Sequence, residues 1–133
     1  MSNQELFTKV RLFLQNFKEC AEKGKVDYRE VNAKTSKFLR TLGLNYASMN
    51  SYILDNIEEK HYFRGPSDHH FLPNRTVTEF GMTWNETKLY VKLELILDGD
   101  QFIAGYLSFH PREQEIVVLV SNLRQLFVET EIN

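Results

Sequence analysis

The stretch Lys88-Leu-Tyr-Val-Lys-Leu-Glu-Leu-Ile-Leu-Asp-Gly-Asp-Gln-Phe-Ile-Ala-Gly-Tyr-Leu-Ser-Phe-His110 decides the fold class of this chain. From Lys88 to Leu97, apolar residues recur at every second position: Leu89, Val91, Leu93, Leu95 and Leu97. That is the period of a strand with one buried face. Asp98-Gly99-Asp100 interrupts the run, and Asp-Gly tolerates the positive φ angles of a tight hairpin. Alternation resumes over 101–110 with Ile103, Leu107 and Phe109 on one side, and Pro111 ends it. Upstream, residues 75–84 read as another strand, closed by the turn Asn85-Glu86-Thr87. Residues 75–110 therefore predict an antiparallel β-meander of three strands or more.

Further upstream the period changes to that of a helix. Leu6, Val10, Phe13, Leu14, Phe17 and Ala21 fall at intervals of three and four, and Gly24 ends the stripe. A second helix is expected over 29–41, with Val31, Phe38, Leu39 and Leu42 inward and Gly43 as its C-terminal cap. A third is expected over 46–58, burying Met49, Tyr52, Ile53 and Ile57. Between helices and strands lies 61–74, with Gly65, two of three prolines and three of four histidines. Lacking apolar periodicity, it reads as an ordered loop. The organisation is one α+β domain over 1–133: a helical half (1–60), a loop (61–74), a meander (75–110) and a C-terminal extension (111–133). The extension places Ile116, Val120, Leu123 and Phe127 on a helical stripe, although its Ile-Val-Val-Leu-Val run favours a strand locally.

If Leu89, Val91, Leu93 and Leu95 face the helices, then Tyr90, Lys92 and Glu94 face the other way. The same argument sends Tyr106, Ser108 and His110 outward, and Glu79 outward from a strand that buries Phe80 and Met82. Glu79, Tyr90, Lys92 and His110 then share one face of the sheet, where matched heights would let them converge on one ligand. The plain reading of such a face is the solvated side of a half-buried meander.

Composition narrows the classes. The chain has 133 residues, 42% hydrophobic and 26% charged, as in ordinary globular domains. No apolar run approaches the roughly 20 residues of a membrane span, and the first residues lack a signal-peptide pattern. One cysteine, Cys20, excludes an internal disulfide and supplies no metal cluster, pointing to a reducing cytosol. The net charge is −2, +2 over 1–60 and −4 over 61–133, so any contact with nucleic acid must rest on a local patch.

In this region the sequence resembles the MqsR family of bacterial toxins, a branch of the RelE-like ribonuclease toxins. Leu42-Gly43-Leu44 precedes a helix ending in Tyr62-Phe63, followed by Arg64-Gly65-Pro66-Ser67-Asp68-His69. Then come Val77-Thr78-Glu79-Phe80-Gly81, Leu89-Tyr90-Val91-Lys92-Leu93 and Leu107-Ser108-Phe109-His110. The resemblance covers roughly residues 24–111. It implies a RelE-like fold and a messenger-RNA endonuclease that works without metal or cofactor and is neutralised by a cognate antitoxin protein. By position it implies catalytic roles for Arg64, Glu79, Tyr90 and His110. Such cleavage uses the 2′-hydroxyl of single-stranded RNA as nucleophile, so no Cys or Ser motif is needed. Lys92, His69 and Arg75 are the candidate substrate-binding residues, Arg75 being equally suited to pair with an acidic neighbour.

Asp68-His69-His70, with His61 nearby, suits loop hydrogen bonds or substrate contact better than a metal, because adjacent loop residues rarely converge on one ion. Trp84 reads as a packing residue and Cys20 as buried. Two rivals stand beside the nuclease. One is a non-catalytic binding module of phage or mobile-element origin, favoured by the acidic C-terminal half. The other is a homodimer built on the stripe 116–127.

Overall fold

A computed structural model describes residues 2–113 of the chain. The helical expectation for the extension falls on 114–133, outside the described residues.

Helix α1 (Asn3–Glu22) begins where the Ser2 hydroxyl accepts the Glu5 N–H, and buries Val10, Phe13, Leu14, Phe17, Cys20 and Ala21. Strand β1 (Val26–Asp27) follows. Helix α2 (Ala33–Leu42) is capped by Asn32, whose side chain accepts from Thr35 N–H, and ends at Gly43 in the left-handed region, φ 70°. Helix α3 (Tyr46–Asn56) is capped by Asn45 and buries Met49 and Ile53. After a single 3₁₀ turn at Glu59–His61 come β2 (Tyr62–Asp68), β3 (Arg75–Trp84), β4 (Thr87–Asp98) and β5 (Gln101–Pro111). The sheet order is β1-β5-β4-β3-β2, antiparallel throughout except for the parallel pair β1–β5. The fold is thus α+β, with N-terminal helices on a five-stranded mixed sheet.

Three expectations are corrected. Residues 62–68, expected as loop, form edge strand β2. Its alternation is masked because the register with β3 shifts twice, around Arg64 and before Ser67. Gly65 carries the irregularity at φ +100°, where a Cβ would lie 2.7 Å from the Val77 carbonyl oxygen. The second helix starts at Ala33 rather than 29, because Val26 and Asp27 pair with Ala104 and Gly105 and Asn32 then caps the helix. Two residues are too few to show a period. Leu42 ends that helix 40% exposed rather than inward.

The third correction concerns facing in β5. Lys92 pairs with Ser108, yet Leu93 pairs with Tyr106, so Leu107 is an extra residue with no partner on β4. Every side chain before it changes face. Tyr106, expected outward, is 1% exposed in the core, its ring 5.3 Å from Phe17 and 4.9 Å from Tyr28, its hydroxyl bonded to Asn50. Ala104 takes the inner position opposite Leu95, and Ile103, expected inward, pairs with Ile96 on the outer face. Beyond the bulge the alternation reads as expected: Phe109 inward opposite Val91, Ser108 and His110 outward.

The bulge also anchors α2. Asn32 N–H donates to the Leu107 carbonyl (3.0 Å), and the Asn32 side chain donates to Ser108 Oγ (2.9 Å). Phe109 N–H donates to Thr35 Oγ1 at 2.7 Å, and Thr35 is fully buried. The core lies between α1, α3 and the inner sheet face, where Phe80, Met82, Leu89, Val91, Leu93, Ala104, Tyr106 and Phe109 are almost completely covered. Thr35→Val keeps the shape of residue 35 but leaves the Phe109 N–H unsatisfied. Urea unfolding should show a loss of about 1–3 kcal/mol with an unchanged slope.

Candidate functional site

The sequence of β3, β4 and β5 stacks two rows of side chains across the outer face. Gly81, Tyr90 and His110 form one row; Glu79, Lys92 and Ser108 form the next. On the other flank, Arg64 of β2 pairs with Glu79. The four residues expected to be catalytic, Arg64, Glu79, Tyr90 and His110, therefore meet, with Lys92 beside them.

Their contacts form a chain. Arg64 grips Glu79 with two parallel hydrogen bonds, Nε to Oε2 at 2.7 Å and Nη2 to Oε1 at 2.9 Å. The Tyr90 hydroxyl donates to Oε1 of the same carboxylate at 2.5 Å. The Tyr90 ring centroid lies 5.6 Å from that of His110. His110 Nδ1 is 2.9 Å from the Pro111 carbonyl oxygen, which can only accept. Nδ1 therefore carries the hydrogen, and Nε2 of the neutral ring has the free lone pair. The Arg64 guanidinium also sits 5.0 Å over the Phe63 ring. The Arg64 side chain is 66% exposed and that of Glu79 13%, so the cation is presented to solvent from a carboxylate set in the sheet.

Electrostatics follow from this geometry. Burial, the largest influence on Glu79, works to raise its carboxyl. The hydrogen bonds from Arg64 and Tyr90 and the charges of Arg64 and Lys92 together outweigh it, holding Glu79 below the ordinary carboxylate value. Burial, and then the hydrogen bond to Glu79, push the Tyr90 phenol far above its ordinary range, so it stays a donor.

His69 and Arg75 belong elsewhere. Arg75 lies four residues along β3 from Glu79, about 14 Å by strand rise. There Arg75 Nη1 donates to Glu94 Oε1 at 2.8 Å. His69 Nδ1 accepts the backbone N–H groups of Phe71 and Leu72, both at 3.1 Å. Glu94 is on the outer face as expected, but it is 1% exposed rather than solvated, and its Oε2 has no hydrogen-bond partner among the described residues. Burial raises its carboxyl value against the opposing pull of Arg75. Space for it comes from the facing Gly105, where a Cβ would lie 2.4 Å from Glu94 Cγ. Sequence reasoning did not single out Gly105, since the signal is a missing side chain opposite a carboxylate on a neighbouring strand.

Among the described residues, no group of three or more His, Cys, Asp and Glu side chains could hold a metal ion, and no helix is long and apolar enough to cross a membrane. Compared with protein-family models, curated proteins and solved structures, the chain finds no match.

Two outcomes are expected. Gly105→Ala must displace the Glu94 side chain from Arg75, and chemical denaturation should show a loss of about 2–4 kcal/mol. Glu79, with its value lowered on folding, contributes stability that is fully present above its unfolded value, near 4.5. That contribution is lost as pH falls through the folded value. The stability of wild type should therefore fall more steeply than that of Glu79→Gln as pH drops below about 4.5; parallel curves would contradict the assignment.

Proposed function

We propose that this protein is a toxin-like, metal-independent endoribonuclease on a RelE-like fold, acting on single-stranded messenger RNA in the cytoplasm and held in check by a cognate antitoxin. The observation that carries this reading is the chain Arg64–Glu79–Tyr90, closed by the His110 ring, on one face of the sheet. It supplies what cleavage by the substrate's own 2′-hydroxyl requires: a fixed cation for the phosphate, a protonated phenol and an imidazole with an available nitrogen.

The reaction runs as follows. The scissile phosphate docks on the solvent-facing edge of the Arg64 guanidinium, which Glu79 and the Phe63 ring hold in place. Lys92 adds positive charge, and Tyr90, whose one O–H is donated to Glu79, holds the carboxylate that fixes Arg64. His110 Nε2 takes the 2′-hydroxyl proton as the 2′-oxygen attacks phosphorus. The imidazolium returns that proton to the 5′-oxygen as the P–O5′ bond breaks. The products are a 2′,3′-cyclic phosphate and a 5′-hydroxyl, with no net proton consumed. Glu79 is the alternative base, and the two assignments separate by substitution. With His110 as base, His110→Ala abolishes turnover while Glu79→Gln lowers it less.

The test uses purified protein and defined RNAs in EDTA. Wild type should leave 2′,3′-cyclic phosphate ends, and both Arg64→Ala and His110→Ala should slow cleavage at least about 100-fold. Failure of the wild type to cleave, under conditions where an MqsR-family toxin works, would replace this reading with a non-catalytic binding module.

A further inference from the structure

Among the described residues three arginines close on carboxylates of the sheet, and they differ in exposure. Arg75 is covered together with Glu94, its side chain 15% exposed. Arg64 and Arg29 stand in solvent, 66% and 81% exposed, over carboxylates that are 13% and 10% exposed. The two exposed pairs are built alike. Arg29 Nε donates to Asp27 Oδ1 at 3.1 Å and Nη2 to Oδ2 at 2.7 Å, the same two nitrogens that Arg64 turns to Glu79. The Arg29 backbone N–H adds a bond to Oδ1 at 2.9 Å. In both pairs the Nη1 end of the guanidinium is left over for a ligand. A solvent-exposed ion pair adds at most about 1 kcal/mol to stability, so the main effect of Asp27 is to fix a cation at the surface.

The register puts both cations on one face. Asp27 pairs with Gly105, Gly105 with Glu94, and Glu94 with Val77, which lies two residues from Glu79 on β3. Residues paired across strands, or two apart along one, share a face, so Asp27 points to the side that carries Glu79, Lys92 and Arg64. Asp27 lies on edge strand β1 and Arg64 on edge strand β2, four strand intervals apart. Those intervals, with two residues along the strands, separate the two positions by about 20 Å. Beside Arg29, a groove of about 580 Å³ opens around the β1 edge, lined by Asp27, Arg29, Ile103, Val26, Tyr28 and Tyr46. A column of three rings leads to it. Tyr28 lies 4.9 Å from Tyr106 in the core, and Tyr46 stacks on Tyr28 at 5.2 Å and 25°. Tyr46, the last ring, is half-buried, and its hydroxyl lies 2.9 Å from that of Ser36. The groove thus joins a fixed ring and apolar walls to an exposed cation.

We infer that this groove is a second subsite for the single-stranded RNA whose scissile phosphate lies at Arg64. Arg29 takes a phosphate several nucleotides along the strand, and the neighbouring base stacks on Tyr46 as the next ring of the column. The inference rests on the nuclease reading of the preceding subsection and adds the direction of the strand, across the sheet from β2 to β1. Lys92, opposite Glu79 on β4, lies on the way. A separation of about 20 Å corresponds to roughly six nucleotides stacked at helical rise, and to fewer when the strand is extended. Two cations fixed at opposite edges of one face therefore suit a strand laid across the sheet.

The test uses the full chain and a labelled RNA of about eight nucleotides. Binding is read by anisotropy on the fully 2′-O-methylated strand, which cannot be cleaved, and kinetics are read on the unmodified one. Wild type is compared with Arg29→Ala, Tyr46→Ala and Tyr46→Phe. Arg11→Ala is the control for charge, since Arg11 is exposed on α1, the helix packed on the opposite face. Thermal melts establish that each variant is folded. Arg29→Ala and Tyr46→Ala should each weaken binding, and raise KM, about tenfold with kcat unchanged. Arg29→Ala should also flatten the plot of log affinity against log salt by about 0.7. Tyr46→Phe, which keeps the ring, and Arg11→Ala should behave as wild type. Binding that needs Arg29 and Tyr46 but brings no cleavage would keep the subsite and sink the nuclease. Cleavage on which Arg29→Ala has no more effect than Arg11→Ala would sink the subsite and keep the nuclease. A fall in kcat with KM unchanged would also overturn the subsite, and a wild type that does not bind the strand would end both.

Discussion

One extra residue in β5 sets the rest of the structure. Leu107, unpaired on β4, reverses the facing of every β5 side chain before it. Without that reversal Tyr106 would stand on the outer face, and the core between α1 and the sheet would lose its largest fully buried side chain. With it, the strand buries Tyr106 and Phe109 and still presents Ser108 and His110 outward. The same bulge turns the Leu107 carbonyl toward Asn32, so the cap of α2 and the placement of the imidazole share one cause. A bulge that re-aims side chains near a functional surface is a recurrent device in antiparallel sheets.

Two carboxylates on the outer face show how environment separates like groups. Glu79 is partly buried and Glu94 fully buried, and each meets an arginine. Glu79 accepts three hydrogen bonds, from Arg64 twice and from Tyr90, and its ionised form prevails despite burial. Glu94 accepts one hydrogen bond from Arg75 and its Oε2 has no partner among the described residues, so burial dominates and its carboxyl value rises. The first makes an exposed, fixed cation of Arg64. The second ties down Arg75 beneath the loop.

The same pairings bear on the acidic balance of the C-terminal half. A charge of −4 over 61–133 is a poor platform for a polyanion when it is spread evenly. Here two of its carboxylates lie in the sheet, each countered by a guanidinium, and Lys92 stands between them on β4. The local field at Arg64 is set by its exposed guanidinium, the Glu79 carboxylate it grips and Lys92, one net positive charge in all, rather than by the chain's total.

Local spacing was enough for the secondary elements with a clean period: the apolar stripe of α1, the Gly43 stop of α2, the alternation of β4 and the Asp-Gly hairpin. It also determined that Glu79, Tyr90, Lys92 and His110 share a face, because alternation on strands needs only local stereochemistry. Where that alternation fails depends on contacts between strands. The bulge at Leu107 and the shifts in β2 are relations between strands, invisible within either one, so the facing of Tyr106 and Ile103 and the strand at 62–68 could not be read from spacing. Contacts between strands decide, too, that Arg64 closes on Glu79 while Arg75 closes on Glu94 across from Gly105. Those pairings depend on which side chains, and which gaps, neighbouring strands bring to the same height.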